Sequence, residues 1–255
     1  MVPVSLDMCT LALAYRPDAD WPILLGVNRD ERIARPSLAP GRHWPDRPHV
    51  RAGKDLEAGG AWLGLSDQGM VAGVLNRPES LGPAPDKRSR GELVLMALDH
   101  KDAPTAAKAL ARQNAADYRP FNLVIADRQH AFWIRNLGMG TMACWPFPPG
   151  ISLITAHDRN DLRSGRIRTY LPRFRVAPLP NPGQGRWEIW AALLACREFD
   201  DEADPASAMT IVGKDGFGTV SSALIALPSP HQQAASVFRF ANGRPDETPF
   251  EDVAV

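Results

Sequence analysis

The 255-residue sequence predicts an α+β domain built as layers of sheet and helix. Three observations carry that prediction. Strand-like apolar runs open and close the chain with helix-like segments between them, an order that suits sheets covered by helices. The apolar runs do not alternate strictly with polar residues, which is the pattern of strands buried on both faces. The helix-like segments repeat apolar residues at helical spacing.

Taken in order, the first element is a hairpin. Cys9 opens an apolar run to Tyr15, and Pro22 opens a second run that ends in Asn28-Arg29-Asp30-Glu31. Pro17-Asp18-Ala19-Asp20 between them is turn chemistry, because proline presets φ and Asp side chains bond nearby backbone. A loop of those residues sets Arg16 opposite Trp21 and Cys9 opposite Asn28. The thiol and the polar string then share one end of one sheet, although a slip of one residue would turn the pairing over. Residues 36–48, rich in proline and polar side chains, read as a long ordered loop of the kind that often serves as a lid. Residues 61–66 and 70–75 are strands around an Asp67-Gln68-Gly69 turn, the second ending on Asn76. Residues 83–89 read as a linker. Helices follow at 90–100 and 104–114, the latter with Pro104 in its first turn. A hairpin spans 121–126 and 131–135, and a strand at 151–156 ends in His157-Asp158-Arg159-Asn160. Residues 162–174 and 187–198 are helical, and strands at 219–227 and 236–240 close the chain.

Composition narrows the functional classes. Twenty-nine basic residues balance 29 acidic ones, so the basic excess of a nucleic-acid footprint is missing. Arg163, Arg166, Arg168, Arg173 and Arg175 form a local cluster that reads as a solvated helix face, with a site for an anionic substrate as the alternative. Cys9, Cys144 and Cys196 offer neither metal-ligand spacing nor an even disulfide set. No apolar run has the length of a membrane span, and the first residues lack the basic start of a signal peptide. The expectation is a cytoplasmic protein with a small-molecule substrate or ligand.

Cys9 carries the sharpest chemical signal, because Met8 precedes it directly. Translation from Met8, or trimming of residues 1–8, would leave Cys9 with a free α-amine that titrates near pH 8. One residue would then supply both nucleophile and base. The expected organisation is an extension, residues 1–8, possibly absent from the mature chain, followed by a single domain at 9–255. The plainer alternative is a buried, inert strand cysteine.

Several motifs, in order, resemble one family. They are Met8-Cys9, Asn28-Arg29-Asp30-Glu31, Arg35-Pro36, Gly59-Gly60-Ala61-Trp62-Leu63-Gly64, Arg90-Gly91-Glu92-Leu93-Val94, Phe121-Asn122-Leu123 and Phe217-Gly218-Thr219. Together they resemble the NRDE family, also called the transport and Golgi organisation protein 2 family. That family is similar to the N-terminal-nucleophile hydrolases. The resemblance implies a four-layer αββα sandwich of two antiparallel sheets flanked by helices. In most members Cys follows the initiator Met directly, so residues 1–7 are a departure.

The resemblance also implies a site. Cys9 would be the nucleophile of a cysteine amidohydrolase, with Asn28, Arg29 and Asp30 beside it. A nearby guanidinium favours the thiolate, and a carboxylate can hold the amine. The alternative is that Asp30 or Glu31 pairs with Arg32 or Arg35, and since alternate residues face opposite sides the sequence does not say which of the four points at Cys9. Asn76 resembles an oxyanion-hole asparagine, against the alternative of a turn residue before Arg77-Pro78. His157 is the most attractive histidine because Asp158 adjoins it, with helix capping by Asp158 or Asn160 as the alternative. Glu31, Trp62, Asn160, Thr219 and Ser221 complete the expected substrate-binding set. No cofactor is required for hydrolysis. Animal relatives are implicated in Golgi organisation, acyl-CoA metabolism and haem mobilisation, so the second expectation is a non-catalytic haem or acyl-CoA carrier. There Cys9 or His157 would ligate iron without covalent attachment.

Overall fold

The opening apolar runs pair as expected but one residue out of register. They are seen in a computed structural model that describes residues 9–199, 205–213 and 216–254. The expected extension, residues 1–8, lies outside the described residues. β1 (Thr10–Tyr15) and β2 (Ile23–Arg32) are antiparallel, with Thr10 opposite Asn28 and Tyr15 opposite Ile23. Arg16 donates its N–H to the Pro22 carbonyl at 2.8 Å, so residues 17–21 make the loop. Pro22 has no N–H to return, and the ladder stops there. The shift sets Cys9 across from Arg29 instead of Asn28.

Residues 36–48 are only partly loop, because five of them form an edge strand. β3 (Ser37–Gly41) pairs with β4 (Val50–Asp55), with an irregularity between Leu38 and Gly41. β3 is an exposed edge strand containing Pro40, a residue that sheets confine to edges and bulges. β5 (Ala61–Ser66) and β6 (Val71–Asn76) follow, then α1 (Gly91–Leu98) and α2 (Ala103–Leu110). β7 (Phe121–Ala126) and β8 (Ala131–Asn136) form the expected hairpin, and β9 (Ala143–Pro146) adds a short edge. β10 (Gly150–Ile154) leads to α3 (Gly165–Val176), which begins later than expected because Ser164 Oγ accepts the Ile167 N–H and caps it. α4 (Glu188–Ala195), β11 (Phe217–Leu227), β12 (Val237–Ala241) and β13 (Glu251–Asp252) complete the order.

Two antiparallel sheets result. One runs β10-β1-β2-β11-β12-β13 and the other β3-β4-β5-β6-β7-β8-β9. α1 and α2 pack on the second sheet, while α3 and α4 pack on the first. Three apolar clusters account for the layering. Leu93, Leu98, Leu110 and Phe121 sit between α1/α2 and their sheet. Leu11, Leu25, Leu63, Val124 and Ile225 fill the space between the two sheets. Leu24, Tyr170, Phe174 and Trp190 lie under α3 and α4. The fold is therefore the expected αββα sandwich. Both sheets are covered on both faces, which is why their strands lack strict alternation.

Two of the motifs are packing devices. A Cβ on Gly60 would stand 2.6 Å from the Gly91 carbonyl carbon, and one on Gly91 would stand 2.9 Å from the Ala61 nitrogen. Glycine at both positions lets the start of α1 lie against the start of β5. Asn122 is fully buried on β7 and ties the two sheets together. Its Nδ2 donates to the carbonyls of Thr155 (2.9 Å) and His157 (2.7 Å), just past β10. Its Oδ1 accepts from Arg77 (2.8 Å) and the Trp133 indole (3.2 Å). Asn122→Ala strands those groups without partners and is expected to cost about 2–4 kcal/mol in urea unfolding. A cost below about 0.5 kcal/mol would mean that the clamp is not needed.

Candidate functional site

Alternation along β2 splits the Asn28-Arg29-Asp30-Glu31 string between two faces. Asn28 and Asp30 point toward α3 and α4. Asn28 Nδ2 donates to the Leu194 and Met209 carbonyls at 2.9 Å each, and its Oδ1 accepts the Ser222 hydroxyl at 2.7 Å. Asp30 accepts from Arg166 at 2.7 Å and from Thr219 Oγ1 at 2.6 Å, with both ion-pair side chains fully buried. Arg166 also donates to Thr10 Oγ1 and the Ala206 carbonyl. These placements correct the expectation that Asn28 and Asp30 bring their side chains to the thiol. Arg166 is likewise no part of a solvated face. It follows the apolar stripe of α3, four residues before Tyr170, and that spacing was the available signal.

Arg29 and Glu31 point the other way, into a cavity of about 310 Å³ that Cys9, Trp62, Asn76 and Arg90 also line. The structure thus brings together five of the expected residues: Cys9, Arg29, Glu31, Trp62 and Asn76. Arg29 stacks on the Trp62 ring 4.0 Å from its centroid, donates to Ser37 Oγ at 2.9 Å, and lies 3.6 Å from Asp55. Trp62 reaches this position only because residue 53 is glycine, since a Cβ there would fall 2.2 Å from the indole. Arg35, from the Arg35-Pro36 motif, bonds Asp55 at 2.6 Å and approaches Glu31 at 3.8 Å. Burial works against the Asp55 carboxylate, but the bonds from Arg35 and the Ala58 N–H hold its pKa below the usual range.

The Cys9 sulfur is bracketed by one peptide unit. It accepts the Asp30 N–H at 3.4 Å and donates toward the Asp30 carbonyl at 3.5 Å. Burial, with the charges of Asp30 and Glu31, pushes the thiol up to about 12. The Asp30 N–H and Arg29 only partly oppose this. With Cys9 internal to the chain, the thiol is therefore protonated at neutral pH and needs a base. Iodoacetamide at pH 8 should alkylate Cys9 of a chain retaining residues 1–8 roughly a hundredfold or more slower than an unfolded cysteine. The rate should rise as pH climbs toward 12. Labelling as fast as in guanidinium would contradict the burial.

The remaining expected residues lie elsewhere. Neither His157 nor Asn160 lines the cavity. His157 contributes its carbonyl to Asn122, and Asn160, at φ +56°, accepts the Leu153 N–H through Oδ1. Thr219 is occupied by Asp30 and by the Ile211 N–H. Ser221 pairs across from Arg29 after a bulge in β11, with its hydroxyl buried. Sequence reasoning missed Asp55, since β4 gave no strand pattern, and Arg90, although its motif was recognised. Residues 83–89, read as a linker, form part of the cavity wall. Among the described residues no histidine lines the cavity, so His157 is not placed to join Cys9 in ligating a group held there.

A family model described as Transport and Golgi organisation 2 matches residues 8–161. The Transport and Golgi organization 2 homolog of Mus musculus is 34% identical over 130 residues, covering 47% of this chain and 45% of that protein. The Homo sapiens homolog is 35% identical over 130 residues, with the same coverage. The chain therefore spans about half the length of the curated relatives it matches. Among solved structures, a Caenorhabditis elegans N-acylethanolamine-hydrolyzing acid amidase ortholog superposes with a TM-score of 0.54 at 14% identity, covering 89% of this chain and 98% of that one. A conjugated bile acid hydrolase from Clostridium perfringens gives 0.51 at 10% identity, covering 97% of each chain. At those identities the likeness is one of fold, the sandwich of the N-terminal-nucleophile hydrolases. Among the described residues, no helix is long and apolar enough to cross a membrane.

Proposed function

The chain belongs to the Transport and Golgi organisation 2 family, and from that premise we propose that it is a cysteine hydrolase cleaving an amide bond in a small acylated substrate. The observation that carries this reading is the shared cavity of Cys9 and Asn76, a thiol and a carboxamide at the ends of strands from opposite sheets. The hydrolase fold of the structural neighbours supports it.

In the proposed reaction residues 1–8 are absent and Cys9 carries a free α-amine. The amine takes the thiol proton as Sγ attacks the substrate carbonyl. Asn76 Nδ2 donates to the oxyanion. The amine then returns the proton to the departing nitrogen, the C–N bond breaks, and water hydrolyses the thioester. A protonated α-amine beside the sulfur would also lower the thiol pKa from its buried value.

The test is an intact-mass measurement on a chain beginning at Cys9, quenched during incubation with short-, medium- and long-chain acyl amides of aminomethylcoumarin. An acyl adduct mapping to Cys9, with coumarin release, is the expected result. No adduct and no release across the series would overturn the reading. The raised thiol pKa favours a second reading for a chain that keeps residues 1–8, namely ligand binding without turnover. For that chain the same incubation would give no adduct and no coumarin release, while thermal denaturation with the uncleaved acyl amide would show protection from unfolding.

A further inference from the structure

The charge in the cavity is uneven in a way the hydrolase reading does not use. The whole chain has no net charge. Yet six cationic side chains line this cavity (Arg29, Arg35, Lys87, Arg88, Arg90 and Arg119) against two carboxylates, Glu31 and Asp55. On the β2 side the charges are matched, because Arg29 and Arg35 both engage Asp55 and Arg35 reaches Glu31 and Glu57. The opposite wall, residues 82–91 with Arg119, is different.

Among the described residues, neither Arg90 nor Arg119 forms an ion pair. Arg90 donates to Ser80 Oγ at 2.9 Å and to the Pro120 and Gly82 carbonyls. Arg119 donates to the carbonyls of Leu81, Gly82, Pro83 and Glu79. Both guanidinium groups bond the Gly82 carbonyl, so two cations are held side by side by neutral acceptors. Burial and the neighbouring Arg119 charge lower the pKa of Arg90 to about 10, while Glu31 and Cys9 oppose this more weakly. Two half-buried like charges without a counter-ion are costly. The geometry of their donors fixes them in place instead of letting them turn to solvent. Lys87 continues the positive wall outward, while Arg88 beside it is paired with Glu92 at 2.7 Å, and a cleft lined by an excess of one sign of charge concentrates the opposite sign.

We propose that the ligand of this cavity carries an anionic group, a carboxylate or a phosphate, which docks against Arg90 and Arg119 while its acyl amide lies at Cys9. This rests on the hydrolase reading for the position of the amide but not for the anion itself. Guanidinium groups suit either oxyanion because both present oxygens in a plane matching the N–H fork.

Binding is the decisive readout, because it survives loss of turnover. Calorimetry on the full chain carrying Cys9→Ser would compare N-dodecanoylglycine and N-dodecanoylphosphoethanolamine with two neutral matches, N-dodecanoylglycinamide and N-dodecanoylethanolamine. Anionic ligands should bind about tenfold or more tightly than their neutral matches, and the advantage should shrink in high salt. The better of the two anionic ligands identifies the oxyanion. Arg119→Gln should remove most of the preference, and Arg119→Lys should restore part of it. Equal affinity for charged and neutral ligands in the Cys9→Ser protein, at low salt, overturns the proposal even if no Arg119 variant folds. If the anionic preference is found but no acyl amide is hydrolysed by the chain beginning at Cys9, the anion site stands and the hydrolase reading falls.

Discussion

Replacing Cys9 by alanine in a chain that begins at residue 9 is expected to lower acyl-amide turnover by about 10⁴-fold or more, to the level left by binding and oxyanion stabilisation alone. Stability should change little, because the sulfur's polar contacts are two long ones, at 3.4 and 3.5 Å, to the backbone of Asp30. Affinity for the uncleaved ligand should persist, since Arg29, Trp62 and the arginine wall are untouched. That combination separates a nucleophile from a packed thiol. A packed thiol would give the reverse: loss of stability from the cavity left behind, with turnover within about tenfold of the parent.

Asp30→Ala is expected to have the largest effect on stability, about 3–5 kcal/mol, because it leaves the Arg166 guanidinium buried without its carboxylate. The same carboxylate accepts the Thr219 hydroxyl, which in turn receives the Ile211 N–H, so the loss spreads along β11. A double variant, Asp30→Leu with Arg166→Met, removes both charges together. It should be less destabilised than the sum of the single variants, a non-additivity expected for partners in contact. Urea denaturation of the parent, Asp30→Ala, Asp30→Leu, Arg166→Met and the double variant measures this directly. An Asp30→Ala cost below about 1 kcal/mol, or strict additivity, would show that the pair does not hold the end of β2. Since Asp30 presents its backbone to Cys9, turnover per folded molecule should also fall, by less than in Cys9→Ala.

Much of the fold was legible because apolar runs and helical spacing report burial directly. Strands β1, β2, β5 to β8 and β10 to β12 and all four helices stand close to where those patterns set them. β3, β4 and β9 were not legible. β3 is exposed and interrupted by Pro40, and β9 is short and lies at an edge. β4 mixes Arg51, Gly53 and Lys54 into its length.

The motifs were visible as motifs, but a string does not say which face a side chain takes. Asn28, Asp30 and Thr219 turned out to brace the sheet against the helices. Asn122, Gly60 and Gly91 join layers. His157 serves through its carbonyl. Arg29, Glu31 and Asn76 took the cavity side with Cys9. The one-residue register shift at Pro22 decided much of this, and loop chemistry alone could not fix it. Arg90 and Arg119 are far apart in sequence and meet only through the segment at Gly82, so no local pattern announces them.

The claim that Cys9 serves as both nucleophile and base is tested most directly by the N-terminus of the protein made from its own gene. Intact mass and N-terminal sequencing of that material should give a chain beginning at Cys9 and active on acyl amides. A chain that keeps residues 1–8 and still hydrolyses them would contradict an α-amine base.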